Sequence, residues 1–225
     1  DSSSTDGTME MLQSFKADYM LQAIVQENNG KAAARNRGVE ESTSDITVIT
    51  DSDMIPESNF VSAHVEAHAL SAKPTCFEGV TYNLHRLEWP CGEENCYPYI
   101  REKIKHGQHL GWHYFLTGNI SFPKALFNTF DGFDDSFKSY GWEDLELGYR
   151  MFLKKVPLRY LSNAKNYHYH VISKEDEIER CIAKGESAQL LLAKHPKLKW
   201  FLGLNPVSVF LFKQLDWEGR VVQFA

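Results

Sequence analysis

The run DITVIT, Asp45 to Thr50, and the DSD that follows it constrain this chain more than any other feature. Ile46 to Thr50 are all β-branched, stiff at χ1 and suited to a pleated, packed surface. A continuous run of this kind predicts a buried strand, and Asp51 and Asp53 end it abruptly. Lys31 to Ser42, with its small-residue start, predicts a helix before the strand, and Asn59 to Leu70 predicts one after it. Thr8 to Tyr19 predicts a further helix, because Met9, Met11, Leu12, Phe15 and Tyr19 recur at helical spacing behind the cap- and turn-rich DSSSTDG. Leu21 to Gln26 predicts a short strand. Residues 1–70 thus read helix, strand, helix, strand, helix, which implies a parallel sheet with helices on both faces. Ligands of such sheets bind outside the carboxyl ends of the strands, where Asp51 and Asp53 stand.

The rest of the chain is less regular. GVTYNLH alternates like a strand, and Tyr97 to Gly107 predicts a helix. A second organised block runs from Gly111 to Arg150, and the charged stretch Lys174 to Lys199 predicts a helical pair or hairpin. NPVSVFLFKQLDW gathers Val207, Val209, Phe210, Leu211, Phe212, Leu215 and Trp217. Packing against the domain is the default role of such a run; peripheral membrane contact or a homodimer is the sharper one. At 225 residues and 43% hydrophobic content, the chain suits one large α/β domain with an appended piece and needs no disulfide staple. A net charge of −6 argues against a nucleic-acid partner. Four cysteines suit a reducing, cytoplasmic compartment. Cys91 and Cys96 have half the spacing of a zinc site, without a second half. No apolar run reaches membrane-spanning length.

Carboxylates at i and i+2 of an extended segment point the same way. Asp51 and Asp53 then repel unless a cation lies between them. Mg²⁺ and Mn²⁺ are commonly held by one or two carboxylates plus substrate phosphates. A helix cap with an extra surface acid satisfies the same residues, and phosphatases, nucleases and kinases also set acids beside metals. Four further features bear on the choice. Lys31, Arg35 and Arg37 stand one element upstream, facing either a diphosphate or solvent. Thr117, Gly118 and Asn119 form a small-residue turn suited to close approach of a ligand. Glu143 and Asp144 open a helix behind Gly141 and Trp142, a position that also favours acids without any function. His168 and His170 alternate on a predicted strand, and imidazole suits Mn²⁺.

Taken in order, DSSSTDGT, GKAAARNRG, DSD, TGNISFPKALFNTFDGFDDSFKSYGWEDLELGYRM and AKNYHYH resemble the motifs of the GT-A glycosyltransferases of family 2, those with a galactosyltransferase-like C-terminal segment. The resemblance runs from Asp1 to His170. It implies an α/β, Rossmann-like mixed sheet flanked by helices over residues 1–172, with a helical extension over 173–225. It implies a UDP-sugar donor, a Mn²⁺ or Mg²⁺ cofactor, and a glycan, lipid-linked or protein acceptor. Asp1 would contact the nucleotide, with Lys31 and Arg35 nearby. Asp51 and Asp53 would hold the metal and diphosphate, Asp53 more directly, and His168 would complete the metal site. Asp144 would be the general base and Glu143 would orient the acceptor. Gly118 and Asn119 would line the sugar pocket, with Trp142 stacking on a ring.

Three departures stand out. Ser2 replaces a usual second aspartate, and Asp131 opens DGFDD where GGFDE is common. The family also places a strand, a helix and a second strand before the loop at which this sequence begins, so the expected domain lacks its first strands. A base opposite the leaving group implies single displacement with inversion. The rival readings are a non-catalytic nucleotide-sugar or glycan binder and a metal-dependent phosphoryl hydrolase.

Overall fold

The computed structural model describes residues 1–2, 4–100, 103–170 and 172–215. Helix α1 is Thr8–Ser14 and α2 is Lys31–Glu41. Strands β1 (Ile46–Ile49) and β2 (Met54–Pro56) follow, then α3 (Phe60–Ala69) and the long β3 (Cys76–Leu84). After β4 (Cys96–Pro98) come β5 (Ile120–Pro123), α4 (Lys124–Asn128) and α5 (Glu143–Leu153). Strand β6 (Leu158–His168), α6 (Lys174–Lys194) and α7 (Pro206–Leu215) complete the order.

The six strands form one sheet in the order β1-β5-β3-β6-β2, with β4 beside the far half of β3. It is mixed. Strands β3 and β6 run parallel, whereas β1–β5, β3–β5, β3–β4 and β2–β6 are antiparallel. The parallel sheet implied by the alternating elements is therefore not what forms. No helix joins β1 to β2; the chain turns at Asp51 to Asp53 and goes straight into β2, too short a link for a parallel crossover.

Aromatic packing holds one face. Phe122 is fully buried, stacked on Phe127 at 4.9 Å between ring centroids and on Phe115 at 6.3 Å. Leu147 and Met151, four apart on α5, and Ala32 and Val39 of α2 close over the same cluster. On the other face, Ala63 of α3 packs with Phe77, Leu161 and Ala164. Residue 121 of β5 faces that side as serine, tied to His64 and His68 at 2.8 and 2.9 Å. Helix α6 and the 3-10 turn after it dock through Leu191 and Leu198 on Phe137 and Tyr149.

Other expectations change in detail. Helix α1 stops at Ser14 and buries no residue; Phe15 turns extended, Met11, Phe15 and Tyr19 are exposed, and Met9 and Leu12 are only half-buried. Leu21 to Gln26 makes no strand. Its bonds go to Asp1, whose amino group donates to the Ile24 carbonyl at 2.6 Å and whose carbonyl accepts from Gln26 at 3.0 Å. Tyr97 to Gly107 is not a helix among its described residues, and residues 101–102 lie outside them. Tyr97 and Pro98 instead extend along β3, and the Tyr99 N–H bonds the Thr81 carbonyl at 2.8 Å; an available sheet edge outweighs local propensity. The predicted helical pair is one 21-residue helix, α6, capped by Ser173, then a 3-10 turn at Pro196–Lys199. Val207, Val209 and Phe210 are exposed on α7, and Trp217 lies outside the described residues. No helix among the described residues is long and apolar enough to cross a membrane.

Candidate active site

Antiparallel pairing of β1 with β5 sets Ile49 opposite Ile120, so the end of β1 meets the turn that opens β5. Pairing of β2 with β6 sets Met54 opposite His168. Asp51, Asp53, Gly118 and His168 are gathered by these two registers. The N-terminus of α5 arrives from the side, aimed by two successive left-handed residues, Gly141 (φ 89°) and Trp142 (φ 75°). Between them lies a cavity of about 330 Å³, whose lining includes Lys31, Asp51, Glu78, Gly118, Asp144 and His168.

Asp53, His168 and His170 form a compact donor set at its edge, with one ligand atom from each within 4.8 Å of the others. Asp53 Oδ2 lies 3.2 Å from His168 Nε2 and 3.2 Å from His170 Nδ1, and the two imidazoles stack at 5.3 Å. His168 Nδ1 meets Asn83 Oδ1 at 3.1 Å, the kind of outer contact that fixes a ligating tautomer. Asp53 Oδ1 and His170 Nε2 are buried without a hydrogen-bond partner among the described residues. Orphaned buried atoms are costly, and a donor set of two imidazoles and one carboxylate fits Mn²⁺ better than Mg²⁺, which takes oxygen ligands. Asp51 stands outside the triad. It accepts from Arg35 Nη2 at 3.1 Å.

Arg35 is a fork between two acids. Its Nη1 donates to Glu143 Oε1 at 2.6 Å, and both side chains are nearly buried, at 12% and 5% exposure. Burial works against its charge, but Glu143, Asp51 and Asp144 outweigh that and hold the guanidinium above its usual value. Arg35 thus ties Glu143 of α5 to Asp51 after β1, and it also lines the cavity. We expect Arg35→Met to lower stability by roughly 3–5 kcal/mol in denaturant unfolding, because it strands Glu143 as an unpaired buried charge. Asp144 accepts from the Leu145 N–H at 2.7 Å. Burial first, then neighbouring Glu143, push its carboxyl up to about 6, against the pull of Arg35.

The remaining predicted residues divide. Lys31 lines the pocket with its ammonium 4.5 Å over the Tyr140 ring. Trp142 lines it too, though its indole N–H is spent on the Lys184 carbonyl at 2.9 Å. Gly118 lines it, and its carbonyl accepts from Asn166 Nδ2 at 2.7 Å. Asn119 does not. It is fully buried below the turn, meets His64 Nε2 through Oδ1 at 2.9 Å and donates to the Val80 and Ala164 carbonyls; its role is to brace the sheet. Its closest neighbour explains Gly79, where a Cβ would sit 2.1 Å from Asn119 Oδ1 and 2.5 Å from the Ala164 carbonyl. Asp1 lies apart from the lining and accepts from the Ser4 N–H at 2.8 Å. Arg37 pairs with Glu40 and Glu41 on the solvent face of α2. Sequence reasoning missed Glu78 and Tyr99, both in the lining. The signal for Glu78 was a lone charge inside the apolar start of β3.

Two family models match. One described as glycosyl transferase family 2 covers residues 1–130, and one described as the N-terminal domain of galactosyltransferase covers 101–174. A validoxylamine A glucosyltransferase of Streptomyces hygroscopicus subsp. jinggangensis (strain 5008) is 28% identical over 70% of this chain and 44% of its own. A chondroitin synthase of Pasteurella multocida (strain Pm70) is 25% identical over 87% of this chain and 24% of its own. The chain spans less than half the length of these two relatives. Among solved structures, the mannosyltransferase PcManGT from Pyrobaculum calidifontis, in complex with GDP-Man and Mn²⁺, matches with a TM-score of 0.60 at 16% identity, over 88% of this chain and 53% of that one. S. aureus TarS 1-349 in complex with UDP-GlcNAc matches with 0.57 at 14%, over 77% and 49%. At such identities the likeness speaks for the fold, which is GT-A.

Proposed function

Because the chain belongs to glycosyl transferase family 2, we propose that it moves a sugar from a UDP-sugar to an acceptor hydroxyl of a glycan, lipid-linked or protein acceptor, with inversion. The observation that carries this reading is one cavity lined by both Asp144 and His168, the latter joined to Asp53 and His170, so that a base and a cation-type donor set would face one and the same ligand. Asp53, His168 and His170 would hold Mn²⁺ or Mg²⁺. Such a cation supplies neutralisation of the charge that builds on a leaving diphosphate. Asp144 takes the proton of the attacking hydroxyl. Glu143, clamped by Arg35, fixes the first turn of α5 and with it the direction of Asp144. Lys31 meets the phosphates from the pocket rim, Asp51 meets the nucleotide, and Gly118 and Trp142 bound the sugar. Relatives named as glucosyltransferase and as chondroitin synthase support a hexose or hexose-derived donor. The structural neighbour solved with GDP-Man makes guanine the competing base. Exposed Val207, Val209 and Phe210 of α7 support an apolar contact at that end, with a membrane surface or a second copy.

The test is product formation. The protein is incubated with Mn²⁺, a panel of UDP- and GDP-sugars and glycan acceptors, and the product anomer is read by NMR. Inverted glycoside together with released UDP is expected. Retained configuration removes the inverting assignment, and free phosphate without glycosylated product favours a hydrolase.

A further inference from the structure

Glu78 lies in β3 at the inner end of the pocket, with 2% of its surface exposed. Burying a carboxyl here is costly unless something answers it. The answer within the chain is small. Oε2 accepts one hydrogen bond, from the Leu116 N–H at 3.2 Å. No lysine, arginine or histidine pairs with Glu78 among the described residues. The groups that face it are themselves acids: Asp144 from α5, Tyr99 from the segment after β4, and Tyr160 from β6. The backbone is bent around it as well. The β3–β6 register shifts between Glu78 and Val80, and irregularities of this type re-aim a side chain. Gly79 alone fits the close approach that the shift requires, with Asn119 and the Ala164 carbonyl pressed against it.

We propose that Glu78 recognises a hydroxyl group of the sugar bound in this pocket, and so decides which hexose configuration is accepted. This rests on the pocket being the transfer site argued above. Burial, opposed by the Leu116 N–H and reinforced by Asp144, holds the Glu78 carboxyl well above the usual carboxylate range. A neutral carboxyl carries one O–H to donate. In the one hydrogen bond it makes among the described residues, the Leu116 N–H is the donor. The direction left open is the cavity, where a sugar hydroxyl oxygen accepts that O–H and returns its own hydrogen elsewhere. A site built to bond a hydroxyl rejects the analogue without it far more strongly than an apolar pocket discriminates by size.

Two readouts test this. Infrared difference spectra of wild type against Glu78→Gln at pH 7 are expected to show loss of a protonated-carboxyl C=O stretch; loss of carboxylate bands instead overturns the proposal, whether or not transfer has been detected. In kinetics, Glu78→Leu is expected to raise KM for one substrate about 10- to 100-fold, the effect of leaving a buried hydrogen-bonding group unanswered. Glu78→Gln, which keeps a donor in place, loses about tenfold less. A shift in the donor's KM assigns the hydroxyl to the donor sugar; a shift in the acceptor's assigns it to the acceptor. The deoxy analogue lacking that hydroxyl is poor for wild type and no worse than its parent for Glu78→Leu. Equal discrimination by both proteins against every deoxy analogue overturns the proposal. Where wild type transfers nothing, the proposed function fails, and the same comparison by calorimetric Kd of UDP-sugars still judges Glu78.

Discussion

Asp144→Asn lowers turnover by about 10²- to 10⁴-fold, the range that a positioned general base contributes, while UDP binding is kept. Asparagine has the same shape and preserves an oxygen for the Leu145 N–H, which Asp144 accepts at 2.7 Å. The Arg35–Glu143 clamp behind it is untouched. What is lost is basicity. The sign of the pH dependence follows from the same carboxyl. Burial and Glu143 raise Asp144 to about 6, and only the ionised form accepts a proton. Wild-type kcat/KM therefore rises as pH climbs through about 6 and levels off above it. Asp144→Asn lacks that limb. Stopped assays of glycoside formation between pH 5 and 8 read both effects, and a variant that keeps most of its turnover removes Asp144 from the role of base.

Asp53→Ala is the second large effect. Asp53 is the hub of the triad, with one carboxylate oxygen 3.2 Å from each of two histidines and the other oxygen buried without a partner among the described residues. Its removal costs more metal affinity than the roughly 10- to 100-fold lost when only an outer hydrogen-bonding partner is taken away. Asn83→Ala, which frees His168 Nδ1, falls within that smaller range. Mn²⁺ titrations of wild type and both variants order the three proteins. Equal affinities in all of them remove the triad from metal binding.

The contrast between Asp51 and Asp53 shows where sequence reading stops. Both aspartates follow one strand, and their spacing makes them look equivalent. Their partners come from far along the chain: Arg35 for one, His168 and His170 for the other. Only the β2–β6 register brings the histidines to Asp53. Elements whose signal is local were legible. The β-branched run is β1, and the periodic stretches are α2 and α3 within a residue or two. Strand direction was not, because β1 pairs with β5 more than seventy positions later. Leu21 to Gln26 and Tyr97 to Gly107 depart from expectation through what they pair with, Asp1 for the first and the edge of β3 for the second. Gly118 and Asn119 are adjacent in sequence, yet one lines the pocket and the other braces the sheet below it. No pattern of residue types separates them. Glu78 was visible as a charge in an apolar strand and Gly79 is the local mark of the register shift beside it, but the place of Glu78 in the pocket depends on pairing with β6, far along the chain.

Calorimetric titration of UDP into the protein, first with Mn²⁺ and then with EDTA, tests the central claim most directly, with Asp53→Ala in parallel. Binding that requires the metal, and that disappears in Asp53→Ala while the variant stays folded by circular dichroism, is the predicted result. Binding of equal strength with Mn²⁺, with EDTA and in Asp53→Ala would contradict it.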